Sequence, residues 1–241
     1  MYWKLIVFVV FSFAFAQILI IIQLITKISF DIIILPQLAP ALAFFTTILL
    51  FRDMYKPLPV NLNKHILKRI IIVMLFPILL FTITYIIGSL MGIETNFQNE
   101  LFKIIIVSIG GIIIGCIAEE IGWRSFLQPN LEQKHSVFIS SLIVGVIWGL
   151  WHVSYYQNGI SYMLIFIIST ISAAIIVVFF QKNTKKNLII SASFHTSINI
   201  GVKIFFFNDS LRILNGIIWL IIAIIITMCD RKYMLKKAKL V

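Results

Sequence analysis

The chain has 241 residues, of which 61% are hydrophobic and only 12% charged, and its mean hydropathy is +1.05. Soluble domains sit near ~45–50% apolar and ~25% charged, so this composition excludes a cytosolic domain, a disordered chain and a nucleic-acid module, and leaves a membrane protein. The net charge of +11 then reads as a record of orientation, because basic residues of a polytopic chain collect in its cytoplasmic loops.

A bilayer core of ~30 Å is crossed by roughly 20 apolar residues in helical form. The sequence divides into about eight such runs, near 5–26, 28–51, 70–92, 102–123, 137–156, 160–180, 188–207 and 212–229. This predicts an all-α polytopic bundle, one membrane domain over residues 1–241. In the first run Ala14-Phe15-Ala16 has the small-residue pattern of a cleavage site, but apolar character continues from Ile18 to Ile25, so a retained helix is expected. The largest polar interruption is 52–69, with Pro57 and Pro59, and no internal repeat is visible. Cys116 and Cys229 lie far apart without ligand spacing, which suits small apolar side chains better than a disulfide or a metal site.

With the N-terminus inside, sixteen of the twenty Lys and Arg fall on the cytoplasmic side, Lys56, Arg124 and Lys239 among them. Lys27, Lys103, Lys203 and Arg212 fall outside. That asymmetry places both termini in the cytoplasm of a multi-pass protein of the cell membrane. Loops rich in Asn and Lys show the bias of AT-rich coding, which points to a bacterial source and its cytoplasmic membrane.

An ionisable side chain inside a span costs at least ~2.5–3.5 kcal/mol on insertion scales and is a functional candidate by default. Three clusters qualify: Glu119, Glu120 and Arg124, expected at the cytoplasmic end of the fourth run; His152 on the fifth; and His195 with Asn199 on the seventh. At ~100° per residue, Glu120 and Arg124 lie about 40° apart around the helix, whereas Glu119 and Arg124 lie about 140° apart. Arg124 is therefore expected to neutralise Glu120 and leave Glu119 free. Gly111, Gly115 and Glu119 form one stripe, and Gly145, Gly149 and His152 another; the two are candidates to face each other. Ser191, His195 and Asn199 share one face of the seventh run.

Taken singly, each cluster has a structural explanation. A Glu-Glu-Arg group is often an interfacial ion pair, an intramembrane His is often satisfied by a carbonyl, and glycine stripes are usually packing surfaces. Trp123, Trp148, Trp151, Tyr155 and Tyr156 suit an interfacial belt, with groove walls as the lesser reading, and Asp31 suits the outer interface. Together, a carboxylate, two imidazoles and an amide are the parts of a hydrolytic site, which needs a base for water and donors or a metal for the tetrahedral oxyanion. One difficulty stands: counted from their expected entries, Glu119 lies ~25 Å from one surface and His152 ~22 Å from the other, so upright helices would hold them at different depths.

These clusters, in this order, resemble the CPBP family of intramembrane proteases, the CAAX prenyl endopeptidase and bacteriocin-processing group also called Abi. Its Glu-Glu-x-x-x-Arg motif is matched by Glu119, Glu120 and Arg124, and its His-x-x-x-Asn motif by His195 and Asn199. Its Phe-x-x-x-His motif is matched at His152, with Trp148 in place of the phenylalanine, a change expected to alter the cavity wall. The resemblance covers roughly residues 100–207.

It implies an endopeptidase acting on peptides or lipidated proteins in the lipid bilayer. Glu119 would be the general base, His152 and His195 would hold the water or donate to the oxyanion, and Asn199 would supply an amide N–H. Glu120 and Arg124 would orient the helix end and the substrate entrance. Burial in an apolar medium raises a carboxylate's pKa toward the range a base needs near neutrality. No His-Glu-x-x-His is present, so the common helical zinc motif is missing. The resemblance leaves two arms: a divalent metal such as zinc on Glu119, His152 and His195, which is slightly preferred, or a metal-free glutamate mechanism. Substrates suggested are a bacteriocin, a pheromone or a self-immunity target, with CAAX cleavage if the source is eukaryotic. The alternatives are a non-catalytic scaffold or regulator of the same fold and, less favoured, a proton-coupled transporter.

Overall fold

The computed structural model describes residues 2–54, 58–97 and 101–237; Lys56, Pro57 and Lys239 lie outside them. The helices are α1 (Tyr2–Thr26), α2 (Ala39–Leu50), α3 (Lys64–Leu90), α4 (Leu101–Gly122), α5 (Gln128–Leu131), α6 (Val137–Trp151), α7 (Ile160–Phe180), α8 (Leu188–Ile204), α9 (Asp209–Cys229) and α10 (Arg231–Met234). A two-residue antiparallel pairing, Asn96–Phe97 with Phe205–Phe206, ties two loops together.

Among the described residues, five helical stretches are long and apolar enough to cross a membrane: Tyr2–Thr26, Lys64–Leu90, Ile106–Leu131, Ile160–Phe180 and Asp209–Cys229. Three shorter apolar ones, Leu35–Leu50, Val137–Trp151 and Leu188–Ile204, alternate with them. The chain is a multi-pass membrane protein, and these stretches correspond to the expected runs with shifted ends. The second begins at Leu35 rather than 28, on a 3₁₀ turn led by Pro36. The third begins earlier because Asn63 caps it, accepting from the His65 and Ile66 N–H groups. The fifth stops at Trp151, and its next six residues from Val153 form a 3₁₀ segment.

The fourth stretch corrects the depth expectation. α4 does not end after Arg124 but passes through a π-helical turn, Trp123–Leu127, into α5. Glu119 therefore sits about 18 Å along the helix from Leu131, and Trp148 about 16 Å along α6 from Val137. The Glu-Glu-Arg cluster lies in mid-span, level with the end of α6. Arg124 is 1% exposed and leaves the set of cytoplasmic loop charges, without changing the alternation.

Packing follows the order α1, α2, α4, α8, α3, α9, α7, α6, each against the next. The glycine stripes do not face each other. A Cβ on Gly145 would lie 2.5 Å from Ile171 Cα of α7, whereas one on Gly115 would lie 2.3 Å from Gln37 Oε1, so they seat different neighbours. Polarity is inverted as hydrocarbon requires: Ile6, Leu24 and Ile25 are exposed, while Gln23, Thr84, Ser140 and Ser172 are fully buried. Pro77 interrupts the hydrogen bonds of α3, and Ser197 of α8 donates to the nearby Met74 carbonyl. Trp123, Trp148 and Trp151 are buried core side chains, which overturns the belt reading for them; of that group Tyr156 is exposed.

Candidate active site

Glu119 is fully buried on α4. It is not free, as expected from its separation from Arg124, but doubly bonded: Gln37 Nε2 donates to Oε1 at 2.9 Å and Trp148 Nε1 donates to Oε2 at 2.7 Å. Both donors are neutral, and both line cavities, Gln37 the larger and Trp148 the smaller. The carboxylate thus stands one side chain behind the wall.

Glu120 points to the other partners. Its Oε1 accepts from His195 Nδ1 at 3.1 Å, and Arg124 Nε lies 3.7 Å from Oε2. The i,i+4 pairing read from the sequence is present, yet both side chains are about 1% exposed. They brace His195 from behind rather than framing a substrate entrance. Arg124 also lies over the Trp148 ring, 5.0 Å from its centroid, and His195 meets the same ring edge-on at 5.0 Å.

His152 caps α6, and its Nδ1 lies 2.8 Å from the Trp148 carbonyl. A carbonyl only accepts, so Nδ1 carries the proton and Nε2 keeps its lone pair. Asn199 donates from Nδ2 to Cys116 Sγ at 3.2 Å. His152, His195 and Asn199 all line two cavities, of about 270 Å³ and about 450 Å³. The smaller runs among aromatic side chains of α6, α7 and α9; the larger is bounded by the 30–37 segment and α1. Tyr155, in the 3₁₀ segment after α6, stacks on His152 at 5.4 Å.

The metal set named from the resemblance does not gather here. Among the described residues no group of three or more His, Cys, Asp or Glu side chains is arranged to hold a metal ion. The bonds show how each is held: Glu119 faces Gln37 and Trp148, while His152 and His195 are oriented through Nδ1, by a carbonyl and by Glu120.

Sequence reasoning missed Gln37 and the donor role of Trp148. The signal for Gln37 was a lone amide between Pro36 and Pro40 in an apolar run. It also missed Gln23 of α1, which donates to the Ile28 and Ile33 carbonyls and accepts from the Leu35 N–H. That one side chain fixes the loop leading to Gln37.

Comparison with known proteins gives a consistent picture. Residues 101–201 match the family model described as type II CAAX prenyl endopeptidase Rce1-like. The chain is similar to CAAX prenyl protease 2 of Methanococcus maripaludis, 28% identical over 138 residues, covering 52% of this chain and 51% of that protein. It is similar to Lysostaphin resistance protein A of Staphylococcus haemolyticus, 28% identical over 249 residues, covering 93% of this chain and 67% of the relative. The protein of the same name from Staphylococcus epidermidis is 23% identical over 222 residues, covering 86% of this chain and 56% of its own length. The chain spans about half to two thirds of the length of these relatives.

Proposed function

Residues 101–201 carry an Rce1-like domain of the CAAX prenyl endopeptidase family, and from that premise we propose that the chain is an intramembrane endopeptidase. The observation that carries the reading is the meeting of three helices: His152, His195 and Asn199 line both cavities, and Glu119 is bonded to the wall residues Gln37 and Trp148.

In this reading a water drawn from the cavities past the Gln37 and Trp148 side chains reaches Glu119 and gives it a proton, and the hydroxide adds to the peptide carbonyl carbon. His152 Nε2, left as an acceptor, holds that water. His195, protonated on Nδ1 against Glu120, donates from Nε2 as an imidazolium to the oxyanion, and the second Nδ2 hydrogen of Asn199 does the same. Collapse of the tetrahedral intermediate breaks the C–N bond, and the proton on Glu119 passes to the leaving amine. Two neutral protein donors, one on each Glu119 oxygen, favour the metal-free arm of the mechanism.

The substrate is a peptide or small membrane-associated protein. The Asn and Lys bias of the loops and the staphylococcal relatives favour a bacterial peptide, such as a bacteriocin, pheromone or immunity target, over a prenylated protein. The test is mass spectrometry of membrane and secreted peptides from cells carrying wild type or Glu119→Ala at matched expression. A peptide shortened only by the wild type establishes proteolysis and gives the cleavage position. An unchanged profile with the cellular phenotype intact in the variant sinks it in favour of a scaffold.

A further inference from the structure

We propose that Gln37 and Trp148 are positioning residues that act jointly on Glu119, one neutral N–H donor for each carboxylate oxygen, an inference that rests on Glu119 being the base. A carboxylate held at one oxygen still turns about its terminal bond. Held at both, by donors on separate elements, it has one plane and a fixed direction for its remaining lone pairs. The distances are 2.9 Å from Gln37 and 2.7 Å from Trp148, the range of good hydrogen bonds to a charged acceptor.

Each donor is itself held. Gln37 lies on the 3₁₀ turn Leu35–Leu38, whose approach is pinned by Gln23 through bonds to Ile28, Ile33 and Leu35. Its amide also needs the bare surface of Gly115, where a Cβ would come within 2.3 Å of Oε1. The Trp148 indole is set between the Arg124 guanidinium and the His195 ring, each 5.0 Å away, so it cannot rotate without losing both. Burying two glutamines in an apolar bundle is costly unless every polar atom is used. Here their bonds all lead to the segment that reaches Glu119. The indole at 148 thereby does what a phenylalanine could not: it keeps the ring contacts and adds the N–H.

The test uses the full-length protein in lipid nanodiscs with Trp148→Phe, which keeps the ring and deletes the donor, and Gln37→Met, which keeps the length and deletes the amide. Turnover is read on the peptide identified with wild type. Each variant is expected to lower kcat on the order of ten- to a hundred-fold with KM nearly unchanged. The second readout needs no turnover. With ¹³C-labelled glutamate, the infrared difference against Glu119→Gln isolates the Glu119 carboxylate stretch, and each donor deletion is expected to displace it. An unmoved band, or a kcat that holds or rises, overturns the proposal; a rise would mean that the donors restrain the base instead of aiming it. Should Gln37→Met fail to accumulate, Trp148→Phe carries both readouts. Wild type that cleaves no peptide sinks the protease reading, while the infrared band still decides the clamp.

Discussion

Glu120 Oε1 accepts from His195 Nδ1 at 3.1 Å while Arg124 stands 3.7 Å from the other oxygen of the same carboxylate. One buried anion thus orients an imidazole on α8 and neutralises a guanidinium on its own helix. Removing it strands Arg124, which is 1% exposed, and an uncompensated buried charge costs roughly 3–5 kcal/mol. Glu120→Ala is expected to lose that stability and all detectable cleavage. Glu120→Gln keeps the shape and an acceptor but not the charge, so it is expected to retain more stability and still lose at least about tenfold in kcat. Thermal unfolding in nanodiscs and peptide turnover separate the two. A fully active Glu120→Ala would end the assignment of His195 to this pair.

Gly145 and Gly110 make an internally controlled comparison. A Cβ at 145 meets Ile171 Cα of α7 at 2.5 Å, whereas one at 110 meets nothing within 4 Å. Overpacking at a helix contact costs about 1–3 kcal/mol. Gly145→Ala is therefore expected to lower the thermal midpoint clearly, and Gly110→Ala to leave it unchanged or slightly raised, since alanine is the better helix former.

The contrast shows how far the sequence could be read. Period, length and charge gave the eight apolar stretches, because hydrocarbon imposes them on any spanning chain. The i,i+4 pairing of Glu120 with Arg124 was legible for the same reason, being local helix geometry. What the glycines face was not, because the partner of a small-residue stripe is settled by tertiary packing. Gly111 and Gly115 seat residues 32–37, not α6. Gln37 escaped because it meets Glu119 across 82 positions, and no periodicity links the two. The depth of Glu119 was misjudged because a π-helical turn carries the chain onward past Arg124.

Chelation separates the two arms of the mechanism. Both Glu119 oxygens accept from protein donors, and among the described residues no three His, Cys, Asp or Glu side chains are arranged to hold a metal ion. Cleavage by protein purified without added metal is expected to survive o-phenanthroline and EDTA at unchanged kcat, with zinc content by mass spectrometry far below one per chain. Loss of activity on chelation with recovery on adding zinc would require His152 and His195 to rearrange around a metal, and would return the mechanism to that arm.

Sidedness follows from the cavities. The larger one reaches Asp31, Gln157 and Lys203, and Asp31 and Lys203 pair at 3.6 Å. These residues belong to the end of the bundle that holds few of the chain's basic residues, whereas Lys134, Lys182, Lys186 and Lys232 cluster at the other. Basic residues favour the cytoplasm, so the cavity is expected to open outward. Cys229 is exposed and Cys116 buried, so Cys229→Ser gives a quiet background. In it, Asp31→Cys and Gln157→Cys are expected to react with an impermeant maleimide on intact cells, and Lys134→Cys only after permeabilisation. That pattern restricts the substrates to peptides that have already been exported or that enter laterally from the outer leaflet. The opposite pattern would invert the bundle and place the same site where a peptide is met before export, so this labelling decides which cellular peptides are worth seeking.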